Sequence, residues 1–214
     1  ENDSQQNPTS YKDYPNPLAE PVTFNLQEGA PYLGKLSTNK RQLNKQEVFS
    51  DNASFSAVSL AKSMSSNHRL MYVSEELKQD IHISGVPKIS IKASSSKKAV
   101  NLSVYLVSLP WNNNKKSKIT DNIITKGWAD LQNYSSLSKS SPLIPGKFYK
   151  MSFEMQPDDQ IIKKGQQIGL MIFSSDSEHT ILPAPGTKLT IDLDNTSITI
   201  PIVGGVSAFK KAID

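Results

Sequence analysis

The sequence predicts an all-β fold, an antiparallel sandwich or barrel, and three features lead to this prediction. Apolar residues recur at every second position over many short segments, which is typical of strands with one buried face. Residues that favour turns, such as Ser84-Gly85 and Pro145-Gly146, separate these segments. Strong helical periodicity is almost absent. Short strands at this spacing are typical of antiparallel sandwiches and barrels.

The predicted strands follow one another along most of the chain. The clearest covers residues 100–106, where aliphatic side chains alternate with Asn101, Ser103 and Tyr105. A weaker alternation of Phe55, Ala57 and Ser59 predicts another strand. The remaining predicted strands cover residues 22–26, 70–73, 81–83, 89–93, 149–155, 168–172, 189–193 and 198–202.

Two segments favour single helical turns. Ser74 is a suitable N-cap for a turn over Ser74–Lys78, and a second turn is predicted within Lys126–Leu137. Residues 28–46 are predicted to be a loop because they contain Gly29, Pro31 and Gly34 followed by a polar run.

The predicted domain organisation is a connector, one sandwich and a tail. Residues 1–21 are polar and rich in Pro and Asn, so we predict a linker. Residues 22–207 form the predicted β-sandwich domain, and residues 208–214 a fraying or vector-derived tail. Because the chain begins with Glu1 and not with Met, we expect a fragment of a larger protein or a processed product.

Composition excludes several classes of function. The 214 residues contain no cysteine, so neither a disulfide framework nor a cysteine zinc site can form. The formal net charge is +4, but the lysines are dispersed and arginine occurs only at Arg41 and Arg69, so we predict no nucleic-acid binding. No apolar run approaches the ~18–20 residues of a membrane span, and we predict no membrane partner.

Six segments of the sequence resemble segments that occur in the same order in one protein family. They are Leu70–Leu77, Asp80–Pro87, Ile89–Ser96, Ile124–Asn133, Pro145–Pro157 and Ile168–Thr180. Together they make residues 70–203 similar to the C-terminal domain shared by Xaa-Pro dipeptidyl-peptidases and their cocaine-esterase and glutaryl-acylase relatives. The run Ser174–Thr180 looks like the Xaa-Pro dipeptidyl-peptidase branch found in lactic acid bacteria.

The resemblance implies a jelly-roll-like, galactose-binding-domain-like β-sandwich attached to an α/β-hydrolase domain. Enzymes of this family release Xaa-Pro dipeptides from free N-termini with a Ser/Asp/His triad. They are usually cytoplasmic and often homodimeric, and a secreted or surface form is an open alternative. The implied partners are the chain's own hydrolase domain and, through the parent enzyme, a peptide substrate. We expect no cofactor.

The chain itself carries no nucleophile elbow of the Gly-x-Ser-x-Gly type, so we predict no catalytic residue and a non-catalytic accessory domain. Asp176, Glu178 and His179 form the most enzyme-like cluster, because a carboxylate beside an imidazole can orient a general base. We expect these residues to serve a turn instead. Together with Trp128, they would contact the neighbouring domain or border the substrate entrance.

No metal site is predicted. His68, His82 and His179 lie far apart in the sequence, and zinc requires three or four ligands in tetrahedral reach. The run Asp192–Asn195 is similar to the start of a calcium loop, but it lacks the glycine and the glutamate that such a loop places at its sixth and twelfth positions. We predict a polar strand face joined to a turn at this run.

Two alternative functions remain open from the residues. Trp111 lies in an Asn/Lys-rich loop and is expected to be exposed, so the sandwich could bind carbohydrate or cell wall. The parent could also be a cocaine-esterase-like acyl hydrolase, because substrate specificity lies mainly in a catalytic domain that these residues do not include.

Overall fold

The computed structural model describes residues 13–112, 122–136 and 138–214, and within them it confirms the all-β prediction. The strands of this described part are β1 (Ala19–Gln27), β2 (Gly34–Ser37), β3 (Gln46–Ser50), β4 (Leu70–Val73), β5 (Ile81–Gly85), β6 (Lys88–Ser95), β7 (Asn101–Leu109), β8 (Ile123–Asp130), β9 (Phe148–Glu154), β10 (Asp158–Ile162), β11 (Gln167–Phe173), β12 (Lys188–Asp192) and β13 (Ser197–Val203). The helices are α1 (Ala57–Lys62) and α2 (Gly205–Ile213), and 3₁₀ turns cover Leu131–Asn133 and Leu193–Asn195. Neither helix has the length and hydrophobicity needed to cross a membrane.

The strands form a continuous hydrogen-bonded sheet that folds into two layers. The first layer has the order β3-β12-β6-β13-β1, with β9 on β6 and the β5–β10 pair on β13. The second layer has the order β2-β4-β11-β7-β8, and β2 joins the layers because it pairs with both β1 and β4. The β2–β4 pair is parallel and the other pairs are antiparallel.

The main core lies between the two layers. In β13, Ile198, Ile200 and Ile202 are fully buried, whereas the residues between them are half-exposed. They share one apolar cluster with the core-facing side chains of β7 in the second layer, which are Leu102, Val104 and Leu106. Each such side chain stabilises the fold by about 1.5–3 kcal/mol on burial, and a register slip of one residue would expose the whole set.

The outer face of the second layer is also apolar, which the alternation did not predict. Tyr105 and Val107 of β7 form a second buried cluster with Met171 and Phe173 of β11. Helix α1 contributes Ala57, Leu60 and Ala61 to this cluster. Ser103 and Tyr105, which alternate with the core-facing residues of β7, are therefore buried as well.

The structure differs from two of the local predictions and confirms a third. Residues 57–62 form a helix and not a strand, and the Ser56 hydroxyl caps it by accepting from the Ser59 amide at 3.2 Å. Ser74–Lys78 contains no helix; the Ser74 hydroxyl instead accepts from the Ile168 amide at 2.9 Å. The helical turn predicted within Lys126–Leu137 is confirmed as the 3₁₀ turn over Leu131–Asn133, which follows β8, and Leu137 lies outside the described residues.

Four strands were not predicted, namely β2, β3, β8 and β10. The first two lie wholly or partly within the predicted loop over residues 28–46. They are short and carry few apolar side chains, so their local pattern is weak.

The end of the chain is part of the fold. Residues 205–213 form α2, and its Phe209 is buried with its ring edge-on to Phe24, 4.8 Å between centroids. This arrangement differs from the tail expected over residues 208–214. At the other terminus, β1 begins at Ala19, three residues before the predicted start of the sandwich.

The connections gather at two ends of the sandwich. One end, which we call the loop end, consists of residues 28–33, 51–69, 96–100, 131–147 (without 137) and 174–187. Backbone hydrogen bonds tie these loops together, among them Asp51 N to Thr187 O at 2.7 Å and Leu143 N to Lys98 O at 2.8 Å. The opposite end, the helix end, is covered by α2.

Candidate functional site

A buried carboxylate organises the most polar cluster of the loop end. Asp176 follows β11, and its side chain is only 1% exposed. It accepts hydrogen bonds from the Tyr105 hydroxyl on β7 at 2.6 Å and from the Trp128 indole nitrogen on β8 at 2.9 Å. His179 Nδ1 lies 3.3 Å from the other carboxylate oxygen. Three strands of the second layer therefore converge on one group.

A tight turn places His179 over this cluster. The amides of His179 and Thr180 both donate to the Asp176 carbonyl, at 3.0 and 2.8 Å. The imidazole stacks on the Trp128 indole with 4.8 Å between ring centroids, while its side chain remains 34% exposed. The result is a histidine held in one orientation at the surface of the domain.

The hydrogen bonds set the protonation of the cluster. Burial alone would raise the pKa of Asp176, but the hydrogen bonds from Tyr105, Trp128 and His179 outweigh it and the net pKa lies below the ordinary value. Burial raises the pKa of Tyr105, and its hydrogen bond to Asp176 raises that pKa further. At neutral pH, Asp176 is therefore an anion and Tyr105 a neutral donor.

A second group combines a serine, an aspartate and a histidine at the β5–β10 pair. The Ser84 hydroxyl donates to Asp159 Oδ2 at 2.9 Å, and His82 Nε2 lies 2.6 Å from Asp159 Oδ1. The carboxylate thus lies between hydroxyl and imidazole, whereas a serine nucleophile requires the imidazole between hydroxyl and carboxylate. The His82 side chain is only 18% exposed.

The acidic run near β12 serves the backbone. Asp192 accepts from the Asn195 amide at 3.2 Å and pairs with Lys92 at 2.9 Å. Asp194 accepts from the amides of Leu43 and Asn44, both at 2.7 Å. Within the described ranges, no three His, Asp or Glu side chains are grouped so that they could hold a metal ion.

A cleft of about 510 Å³ opens at the loop end between residues 31–32, α1 and residues 63–68. Phe55 and His68 stack in its wall, with 5.0 Å between ring centroids. Behind it, the fully buried Arg69 donates to the carbonyls of Tyr32 and Ser63 at 2.9 and 2.7 Å. Arg69 thereby fixes both walls of the cleft.

Comparison with known proteins decides the family. The family model of the X-Pro dipeptidyl-peptidase C-terminal non-catalytic domain matches residues 1–208. The chain belongs to this family. A putative Xaa-Pro dipeptidyl-peptidase of Rhodopirellula baltica is 51% identical over 205 residues, which cover 96% of this chain and 33% of that protein. A Bacillus cereus relative of the same name is 35% identical over 198 residues, covering 90% of this chain and 32% of its own length.

This C-terminal domain spans about a third of the length of the curated relatives it matches. Two solved structures share its fold. An aminopeptidase from a Thaumarchaeota archaeon superimposes with a TM-score of 0.70 at 17% identity, over 90% of this chain and 38% of that one. A CocE/NonD family hydrolase from Staphylococcus aureus gives a TM-score of 0.63 at 14% identity, over 91% and 38%. The relatives from Rhodopirellula and Bacillus show that the resemblance is not limited to lactic acid bacteria.

The structure brings three of the predicted contact residues of the C-terminal domain together, namely Trp128, Asp176 and His179. Glu178 lies in the same turn but is exposed. Tyr105 was missed as a member of this cluster. The available signal was an aromatic residue among the positions that alternate with the aliphatic side chains of residues 100–106.

Trp111 differs from its expected exposure. It is half-buried and packs against the outer cluster of the second layer, with Lys62 Nζ 5.5 Å from its ring centroid. A ring covered in this way does not offer a flat face to a sugar.

Replacing Asp176 by Asn is expected to lower the free energy of unfolding by about 1–3 kcal/mol at pH 7, because three donors lose a charged acceptor. The pKa of Asp176 is lower in the folded protein than in the unfolded chain. The charged carboxylate therefore stabilises the fold above the ordinary pKa of about 3.9, and this contribution is lost as the pH falls through the lowered pKa of the folded state. Urea unfolding at pH 7 and at pH 3 measures the difference. Glu178→Gln, in the same turn, is the matched control and should change the free energy of unfolding only slightly. If Asp176→Asn lowered the free energy of unfolding equally at pH 7 and at pH 3, the lowered pKa of Asp176 would be contradicted.

Proposed function

We propose that this C-terminal domain is part of a serine exopeptidase that releases Xaa-Pro dipeptides from peptide N-termini, and that it packs against the α/β-hydrolase domain of the same polypeptide. The observation that carries the proposal is the 51% identity to a putative Xaa-Pro dipeptidyl-peptidase, of which the chain covers 33%. The arrangement of Ser84, Asp159 and His82 agrees with a supporting role, because the Ser84 hydroxyl donates to Asp159 and not to the imidazole that a serine nucleophile requires as its base.

The Asp176 cluster supports a role at the substrate entrance. A histidine that is stacked on Trp128 and held by Asp176 presents its ring edge in a fixed orientation. Preorganised polar groups of this kind contribute to recognition because little side-chain entropy is lost on contact. We therefore place Trp128, Asp176 and His179 at the border between this domain and the path of the peptide.

The test compares the isolated chain with the full-length polypeptide on Ala-Pro-p-nitroanilide. We expect turnover by the full-length protein that a serine-directed inhibitor abolishes, and none by the isolated chain. Deletion of the chain should lower the thermal midpoint of the remaining hydrolase domain, because the packed surface becomes exposed. Inhibitor-sensitive turnover by the isolated chain, or an unchanged midpoint after the deletion, would refute the proposal.

Carbohydrate binding is the second candidate, and one observation favours it. The 510 Å³ cleft is lined by Tyr32, Phe55, four serines and Asn67, which combine ring faces with hydrogen-bonding groups. A glycan array with the isolated chain tests it. Binding that Tyr32→Ala abolishes would support this candidate, and no binding would remove it.

A cocaine-esterase-like parent stays an alternative, since the likeness to the CocE/NonD hydrolase concerns the fold alone. A connector role for the residues before β1, a cytoplasmic location and a homodimeric parent stay predictions. Hydrolysis rates of the full-length protein on Ala-Pro-p-nitroanilide and on an aryl ester distinguish a dipeptidyl-peptidase parent from an esterase parent. Faster hydrolysis of the ester would favour the esterase.

A further inference from the structure

Exposed large apolar side chains are concentrated at the loop end. Met64 and Ile181 are 87% and 90% exposed, and Tyr32 is 72% exposed. Phe55 and Leu182 add to the same end. Apolar side chains that gather on one surface of a soluble domain mark an interaction site, because leaving them in water is unfavourable.

The loop end is rigidly built. Arg69 ties residues 30–32 to residues 60–63 through four backbone carbonyls. Buried Asp51 accepts from the amide and the hydroxyl of Ser175, at 2.8 and 2.6 Å, and so ties the end of β3 to the segment after β11. Because these loops are already ordered, docking on them costs little conformational entropy.

The other surfaces of the described residues carry fewer exposed large apolar side chains. At the helix end, α2 buries Phe209 in the core, and no apolar side chain there is more exposed than Leu18, at 68%. The outer face of the first layer carries polar pairs, such as Thr23 with Thr199. The outer face of the second layer is packed with α1.

We infer that the loop end is the surface through which this domain packs against the hydrolase domain of its own polypeptide. This inference rests on the proposed function. The occupant follows from length, because the chain covers only 33% of the Rhodopirellula relative and the remainder must be accommodated beside it. A covalently linked domain has a high effective concentration, so an interface of roughly 600–1,500 Å² is sufficient.

The experiment introduces Met64→Asp and Ile181→Asp together into the full-length polypeptide. We expect the thermal midpoint of the hydrolase domain to fall by at least about 4 °C, because two charges enter an apolar interface. Val86→Asp with Val206→Asp, at exposed apolar positions of the helix end, is the matched control and should leave the midpoint unchanged. Circular dichroism of the isolated variant chain checks that the sandwich itself still folds.

Hydrogen exchange gives a second measurement without any substitution. Amides of residues 63–67 and 180–182 should exchange about tenfold more slowly in the full-length protein than in the isolated chain. Deleting the domain could destabilise the hydrolase domain while the Met64→Asp/Ile181→Asp variant keeps its thermal midpoint and the exchange rates stay the same. In that case the domain docks through another surface, so the inference about the loop end is wrong but the proposed function stands. If the deletion has no effect, the proposed function fails with it.

A second copy of the chain is the competing occupant. Light scattering of the isolated chain across concentrations would then show a dimer that Met64→Asp with Ile181→Asp dissociates. That result, together with unchanged exchange in the full-length protein, would overturn the inference.

Discussion

Replacing Arg69 by Met is expected to lower the free energy of unfolding by at least about 3 kcal/mol, since buried carbonyls would lose a charged donor. The guanidinium is fully buried and donates to Ala30 O at 2.8 Å, Tyr32 O at 2.9 Å and Ser63 O at 2.7 Å, with a longer contact to Leu60 O. Its charge also lies beside the last carbonyls of α1, where a cation is favourable. Urea unfolding of the isolated chain measures the change.

The other arginine of the chain supplies the control. Arg41 is exposed, so Arg41→Met should alter the free energy of unfolding by no more than about 0.5 kcal/mol. Arg69→Lys retains a charge but not the planar fork, and we expect an intermediate loss. Burial lowers the pKa of Arg69 to about 10, so the guanidinium remains protonated at neutral pH. A loss below about 1 kcal/mol for Arg69→Met would show that the loop end does not depend on this residue.

Replacing Phe209 by Ala is expected to cost about 3–5 kcal/mol, the range for deleting a buried aromatic ring. Phe209 is 2% exposed and packs edge-on against Phe24 of β1, so the substitution leaves a cavity in the main core. The thermal midpoint and the urea midpoint of the isolated chain should both fall.

Val206, which is exposed in the same helix, provides the comparison. Val206→Ala removes apolar atoms from α2 without opening the core and should be nearly neutral. If Phe209→Ala were as mild as Val206→Ala, residues 208–214 would be a dispensable tail, as the sequence suggested.

Strand positions could be predicted where a series of alternating apolar side chains forms the buried face. The Ile198, Ile200 and Ile202 series is a local pattern, and the structure buries all three. The short strands β2 and β3 carry few apolar side chains, so only their partners in the sheet define them. Helix α2 did leave a signal, because Val206, Phe209 and Ile213 recur at helical spacing.

The sequence by itself determined the class of fold and the family. Alternation with period two is a property of neighbouring residues, and the ordered phrases between Leu70 and Thr180 are visible without coordinates. It also indicated that Asp176 and His179 would form a polar turn.

Only the tertiary structure decided which distant residues meet. Tyr105, Trp128 and Asp176 come together because β7 pairs with both β8 and β11, and Arg69 reaches carbonyls on both sides of a cleft. Strand order depends on the packing of the whole core and not on any local window of sequence. The physical reason is that side-chain periodicity is a local property, whereas the gathering of loops at one end results from the closure of the two layers.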